Sequence, residues 1–167
     1  RLWISRILFK QGAATMVKTS ASIGIDRPPQ LVYSFIVDDF LVNYPRWSPE
    51  VKRLDALSAG PMRTGWRARQ VRVDQGRRTQ TDFEVVEISP PTRVAFRGIK
   101  DPYFIDFVLD DSSDNYTTLI FSFELGKLGF AFRPFEKLIR YAVQEGVTRV
   151  TRNIKGLVES EISNESR

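Results

Sequence analysis

The spacing of apolar residues along this chain changes three times, and each change predicts an element. VKTSASIGID, Val17 to Asp26, has the small and β-branched character of a strand and is ended by Arg27-Pro28-Pro29. Between Pro29 and Phe40 the residues Leu31, Val32, Phe35, Ile36 and Phe40 recur every three to four positions, the period that gathers side chains on one face of a helix. Pro29 suits the first turn of that helix. After Val51 short runs separated by turn residues predict six more strands: Val51 to Ser58, Gly65 to Asp74, Arg77 to Ile88, Arg93 to Gly98, Tyr103 to Leu109 and Tyr116 to Leu125. From Pro134 to about Ser160 the helical period returns through Phe135, Leu138, Ile139, Ala142, Val143, Val147, Val150, Ile154, Leu157 and Val158. At 1.5 Å per residue this last helix extends roughly 40 Å, enough to cross a sheet.

The connections carry their own chemistry. Asp74-Gln75-Gly76 predicts a three-residue hairpin with glycine in the left-handed position, and Ser89-Pro90-Pro91-Thr92 a stiff turn. DDSSDN, from Asp110, reads as a hairpin turn, since it lacks the dense alternation of a calcium loop. In NYPRWSPEV, Asn43 to Val51, Pro45 and Pro49 argue against a continuous helix and predict a stiffened surface turn bearing Trp47. Gly146 interrupts the apolar face of the long helix at a cost of about 1 kcal/mol against alanine, so it permits a close approach or leaves space beneath.

The order strand, helix, corner, six strands, long helix predicts an α+β domain with helices on one face of a seven-stranded antiparallel sheet. The chain resembles the START-like, or helix-grip, superfamily, and within it the SRPBCC group of polyketide cyclase/dehydrase and lipid-transport proteins. IDRPPQLVYSFIVD (from Ile25), YPRWSPEV (from Tyr44), LSAGPMRTGWRARQ (from Leu57) and FEVVEISPPTRVAF (from Phe83) carry the resemblance, which spans Ser20 to about Val158. It implies a curved sheet wrapped around the long C-terminal helix, one or two short helices after the first strand, and a cavity between sheet and helix. The single domain is expected over residues 16–162, with an N-terminal extension at 1–15 and a disordered tail at 163–167. In such a fold Trp47 would stand near a mouth of the cavity, where it caps a ligand or closes the core.

Strand alternation then selects the side chains that face inward. Tyr103, Ile105, Phe107 and Leu109 form one inner row, and Thr117, Leu119, Phe121, Phe123 and Leu125 another. Trp66, Ala68 and Gln70 join Thr81, Phe83, Val85 and Phe96. From the helix come Leu138, Tyr141 and Ala142, with Arg140 more readily placed in solvent. The candidate ligand-binding set is therefore Trp47, Trp66, Gln70, Phe83, Phe96, Tyr103, Ile105, Phe107, Leu119, Phe121, Leu138, Tyr141 and Ala142. For any single phenylalanine solid core is the better reading, and the pocket is argued from the whole set of 12 Phe, 5 Tyr and 3 Trp. Gln70, Thr81 and Tyr103 are the polar members, suited to orienting a hydroxyl or carbonyl.

Composition narrows the chemistry further. The 167 residues include no cysteine and no histidine, which removes disulfides, thiolate nucleophiles and Cys/His zinc sites and takes away the usual acid–base residue near neutral pH. No cofactor or metal is expected. The acid–base candidates that remain are Tyr103, Tyr141 and Asp106, with Asp106 on the outer parity of its strand. The net charge of +5 is concentrated at one end: residues 1 to 15 hold Arg1, Arg6 and Lys10 without an acid, leaving 22 bases against 20 acids. That segment, with Leu2, Trp3, Ile4, Ile7, Leu8 and Phe9, reads as a membrane-surface or targeting peptide, or as a leader preceding a natural start at Met16. The basic hairpin Arg63, Arg67, Arg69, Arg72, Arg77 and Arg78 lies beside acids such as Asp82 and Glu84, so nucleic acid is not an expected partner. The expected activity is binding of a small apolar ligand (a lipid, isoprenoid, sterol-like or polyketide molecule) for transport, storage or sensing. The alternative is a polyketide cyclase, aromatase or dehydratase acting in the same cavity. A cytoplasmic location with transient membrane-surface contact is expected, and the oligomeric state is left open.

Overall fold

Alternating apolar residues pair seven strands into one antiparallel sheet in the spatial order β1-β7-β6-β5-β4-β3-β2. The structure, a computed structural model, describes residues 17–126 and 130–162. The strands are β1 (Val17–Ile25), β2 (Val51–Ala56), β3 (Arg67–Asp74), β4 (Arg77–Ser89), β5 (Arg93–Gly98), β6 (Tyr103–Asp110) and β7 (Thr117–Leu125). Two short helices, α1 (Pro29–Ile36) and α2 (Phe40–Trp47), follow β1; a 3₁₀ turn (Phe130–Phe135) leads into the long α3 (Glu136–Ile162). Every predicted strand is present with ends shifted by a residue or two. The expectations for residues 1–15 and for the tail at 163–167 lie outside the described residues.

Two local expectations are corrected. The NYPRWSPEV corner is helical: α2 carries Pro45 inside it, and Trp47 is only 1% exposed. A proline there removes one backbone N–H donor, but in a helix of eight residues the packing of Phe40, Tyr44 and Trp47 on one buried face outweighs that loss. Two side-chain amides hold α2 in place, Asn43 Nδ2 donating to the Phe35 carbonyl at 3.0 Å and Asn153 Nδ2 to the Trp47 carbonyl at 2.9 Å. The β3–β4 hairpin has a two-residue turn, since Asp74 pairs with Arg77. Gln75 and Gly76 both take positive φ, 49° and 81°, the geometry whose twist matches that of the flanking strands.

The convex face of the sheet is a lattice of ion pairs. Arg69 grips Asp82 through two bonds of 2.7 and 2.8 Å, Arg93 grips Asp106 at 3.0 and 2.9 Å, and Glu84 lies between Arg67 and Arg97. Of the arginines of the hairpin, Arg67, Arg69 and Arg72 are thus matched by carboxylates within the sheet.

On the concave face α3 lies over β1 and β7. Its buried stripe is Val147, Val150, Thr151, Ile154 and Val158. Its last turns are tied down by Lys155 Nζ on the Gly24 carbonyl at 2.6 Å and by Glu159, which accepts from the Asp26 amide at 3.0 Å. Arg27 Nη2 donates to the Glu159 carbonyl at 2.7 Å.

Candidate functional site

Strands β6 and β7 form an inner ladder whose rungs are Leu109–Leu119, Phe107–Phe121, Ile105–Phe123 and Tyr103–Leu125. The first two rungs are buried in one cluster with residues of α1, α2 and the C-terminal half of α3; the last two are partly exposed. One end of the concave face is therefore fully covered and the other, the more open end, is only partly covered.

Aromatic rings fill the closed end. Phe40 stacks on Phe96 at 5.1 Å, Phe107 meets Phe121 at 4.7 Å, and Trp47 touches Phe35, Phe40, Tyr44 and Phe107 at 5.7 to 6.1 Å. Of the two roles open to Trp47, closing the core is the one this packing gives it. The Nε1 atoms of Trp47 and Trp66 are buried without a hydrogen-bond acceptor. Trp66 also borders a shallow cleft of about 260 Å³ between the α1–α2 junction and the segment Gly60 to Met62, with Asp38 and Asp39 on its rim.

Toward the open end the inner face turns polar. The Tyr44 hydroxyl donates to Gln70 Oε1 at 3.0 Å; Gln70 Nε2 donates to Thr81 Oγ1 at 3.1 Å and lies 3.4 Å from the Tyr103 hydroxyl. Burial raises the pKa of Tyr44, opposed in part by the Arg72 guanidinium at its hydroxyl. Burial pushes Tyr103 up to about 12, although hydrogen bonds from Thr81 and Gln70 favour its ionised form. Both phenols therefore stay protonated at neutral pH; Tyr44 donates to Gln70, whereas Tyr103 accepts from it. Arg72 ends this row: burial disfavours its charge, but the bonds to Asp74 at 3.2 and 3.1 Å and the surrounding oxygens more than offset that and raise its pKa.

The predicted set divides by burial. Trp47, Trp66, Gln70, Phe83, Phe96, Phe107, Leu119 and Phe121 are buried on the concave side, and Tyr103 and Ile105 are half-buried at its open end. Leu138, Tyr141 and Ala142 are elsewhere. Leu138 and Tyr141 are each 66% exposed, and Ala142 is exposed beside them. At about 100° per residue, Leu138 sits a third of a turn round from Val150, off the buried stripe. The inward positions of this part of α3 are Ile139 and Val143, both half-buried. Of the acid–base candidates only Tyr103 faces the interior, since Asp106 is held by Arg93 on the convex face.

Sequence reasoning missed Tyr44 and Arg72. Arg72 shares the parity of Ala68 and Gln70, which was signal enough to turn it inward. Tyr44 follows Phe40 by four residues and precedes Trp47 by three, a helical triplet hidden by the weight given to Pro45. Among the described residues no Asp/Glu cluster is arranged to hold a metal ion, and no helix is long and apolar enough to cross a membrane.

Solved structures share this architecture at low sequence identity. TTHA0849 from Thermus thermophilus is 20% identical, with a TM-score of 0.71 over 86% of this chain and 97% of its own. The Zhui aromatase/cyclase from Streptomyces sp. R1128 is 15% identical, with a TM-score of 0.73 over 89% and 96%. A START superfamily protein from Mycobacterium smegmatis is 17% identical, with a TM-score of 0.68 over 86% and 97%. At these identities the likeness is one of fold, the helix grip that the resemblance of the sequence implies. No curated protein sequence matches the chain. The family model for polyketide cyclase / dehydrase and lipid transport matches residues 16–159, nearly all of the folded body, and the chain belongs to that family.

Proposed function

We propose that this protein binds a hydrophobic small molecule at the open end of its concave face, for carriage, storage or sensing. The apolar body of the ligand lies against Ile105, Phe123 and Val143, and an oxygen at one end meets the cluster of Gln70, Thr81 and Tyr103. The observation that carries this reading is the β6–β7 ladder: apolar rungs that are fully covered near Leu119 are left partly exposed at Ile105 and Phe123. Covering such surface stabilises a complex by about 25 cal/mol per Å² before ordering costs. Gly146 supports the same placement, because a Cβ built there meets nothing within 4 Å.

A second reading, cyclase-type chemistry on a bound polyketide, draws on one observation. The Tyr103 hydroxyl, kept protonated and joined to Gln70, is a hydrogen donor to a reacting carbonyl at the edge of an apolar site. Mass spectrometry of small molecules retained by gently purified protein separates the two. One stoichiometric apolar compound supports carriage, whereas a pair differing by the mass of water supports turnover. A protein that retains nothing and binds no member of a panel of lipids and polycyclic compounds would overturn both.

A further inference from the structure

The start of α3 and the turn before it carry an apolar row that the described residues leave uncovered. Phe132, Phe135, Leu138 and Tyr141 are 54%, 55%, 66% and 66% exposed and recur at every third residue. Beside the row is a surface cleft of about 410 Å³ lined by Lys18, Thr19, Lys137, Arg140, Tyr141 and Gln144, which gives it three cations and no carboxylate. The nearest acids are partners of two of these cations: Glu124 lies 2.7 Å from Lys18 and Glu136 lies 3.2 Å from Arg140. The cations of both pairs are exposed, 67% for Lys18 and 47% for Arg140, and pairs open to solvent contribute little.

We propose that this face docks on an anionic phospholipid bilayer. Phe132, Phe135 and Leu138 enter the boundary between headgroups and acyl chains, while Lys18, Lys137 and Arg140 meet lipid phosphates. Large apolar side chains beside cations, with no acid in the cleft, are the surface chemistry of a segment lying in the membrane interface. The charge also selects this occupant over two others. A second copy would bring a like-charged cleft against this one, and residues 1 to 15, whose only charges are Arg1, Arg6 and Lys10, have the same sign as the face they would have to cover. An anionic bilayer complements the cations of the cleft. The proposal stands whatever molecule the concave face takes.

Vesicle flotation of the full chain tests it. Phosphatidylcholine vesicles containing about one-third phosphatidylglycerol should carry the protein up the gradient, and vesicles of phosphatidylcholine alone should not. Two double variants of exposed residues, Lys137→Gln with Arg140→Gln and Phe135→Ser with Leu138→Ser, should each lower the partition coefficient at least about tenfold while circular dichroism stays unchanged. Equal binding to both vesicle types would overturn the proposal. So would wild-type binding by both variants, which would put the membrane contact elsewhere in the chain. A protein that ignores vesicles but runs as a dimer, turned monomeric by Phe135→Ser with Leu138→Ser, would also overturn it and make the face a self-contact.

Discussion

The Tyr44 hydroxyl donates to Gln70 Oε1 at 3.0 Å, so a residue of the second short helix is fastened to the polar centre of the sheet. The same amide donates on its other side to Thr81. Every polar atom of the Gln70 side chain thus has a partner inside the protein.

Gln70→Leu removes that centre while keeping the volume. It leaves the buried Tyr44 hydroxyl without an acceptor, and the expected loss is about 1–3 kcal/mol. Urea unfolding reads it directly, and an unchanged midpoint would show that the cluster adds nothing to stability. Binding of apolar ligands that bear a hydroxyl or carbonyl should weaken more than binding of pure hydrocarbons.

Tyr103 makes stability depend on alkaline pH. Its folded pKa, about 12, lies above the ordinary value of 10.0, so between those values the folded state holds a proton that the unfolded chain has lost. Stability conferred by this group is present below pH 10 and falls as pH rises toward 12, by up to about 1.4 kcal/mol per unit for a single group. Tyr103→Phe should flatten the profile in that window relative to wild type. Urea midpoints taken at several pH values compare the two, and parallel profiles would count against a perturbed Tyr103.

Phe107→Ala or Phe121→Ala opens the closed end of the interior. The two rings meet at 4.7 Å in the buried core, and removing either should cost about 3–5 kcal/mol. A folded variant should accept bulkier apolar probes than wild type in a fluorescence binding panel. An identical ligand range would remove these rings from the lining.

Gly146 offers a test in both directions. Alanine fits without contact, so Gly146→Ala should stabilise α3 by up to about 1 kcal/mol. Gly146→Phe should instead obstruct the space beside the helix and weaken ligand binding in a protein that still melts cooperatively. If phenylalanine leaves affinity untouched, the ligand lies elsewhere.

Much of this molecule was legible because strands and helices announce themselves through period. The parity of Tyr103, Ile105, Phe107 and Leu109 fixed the concave face, and the structure buries Phe107 and Leu109 there. Pro45 misled because a local rule for helix breaking was outweighed by three aromatic residues packing at once. The helical contribution to the site misled for a different reason. Spacing defines a stripe but not its exact rotation, and at this end of α3 the inward positions are Ile139 and Val143, with Leu138 and Tyr141 turned away from the line of Val150. Leu138 and Tyr141 belong to a surface that pattern alone could not separate from the core.

The anchoring of α3 has a kinetic consequence. Asn153, Lys155 and Glu159 bolt its C-terminal half to α2 and to the end of β1, whereas Gln144, on the Ser20 carbonyl at 3.2 Å, is the outermost of its tethers at the other half. The helix is built as a lever with its fulcrum near Val150. On the proposed function, a guest beneath the less tethered half of α3 would leave when that end of the helix lifts, without the domain unfolding.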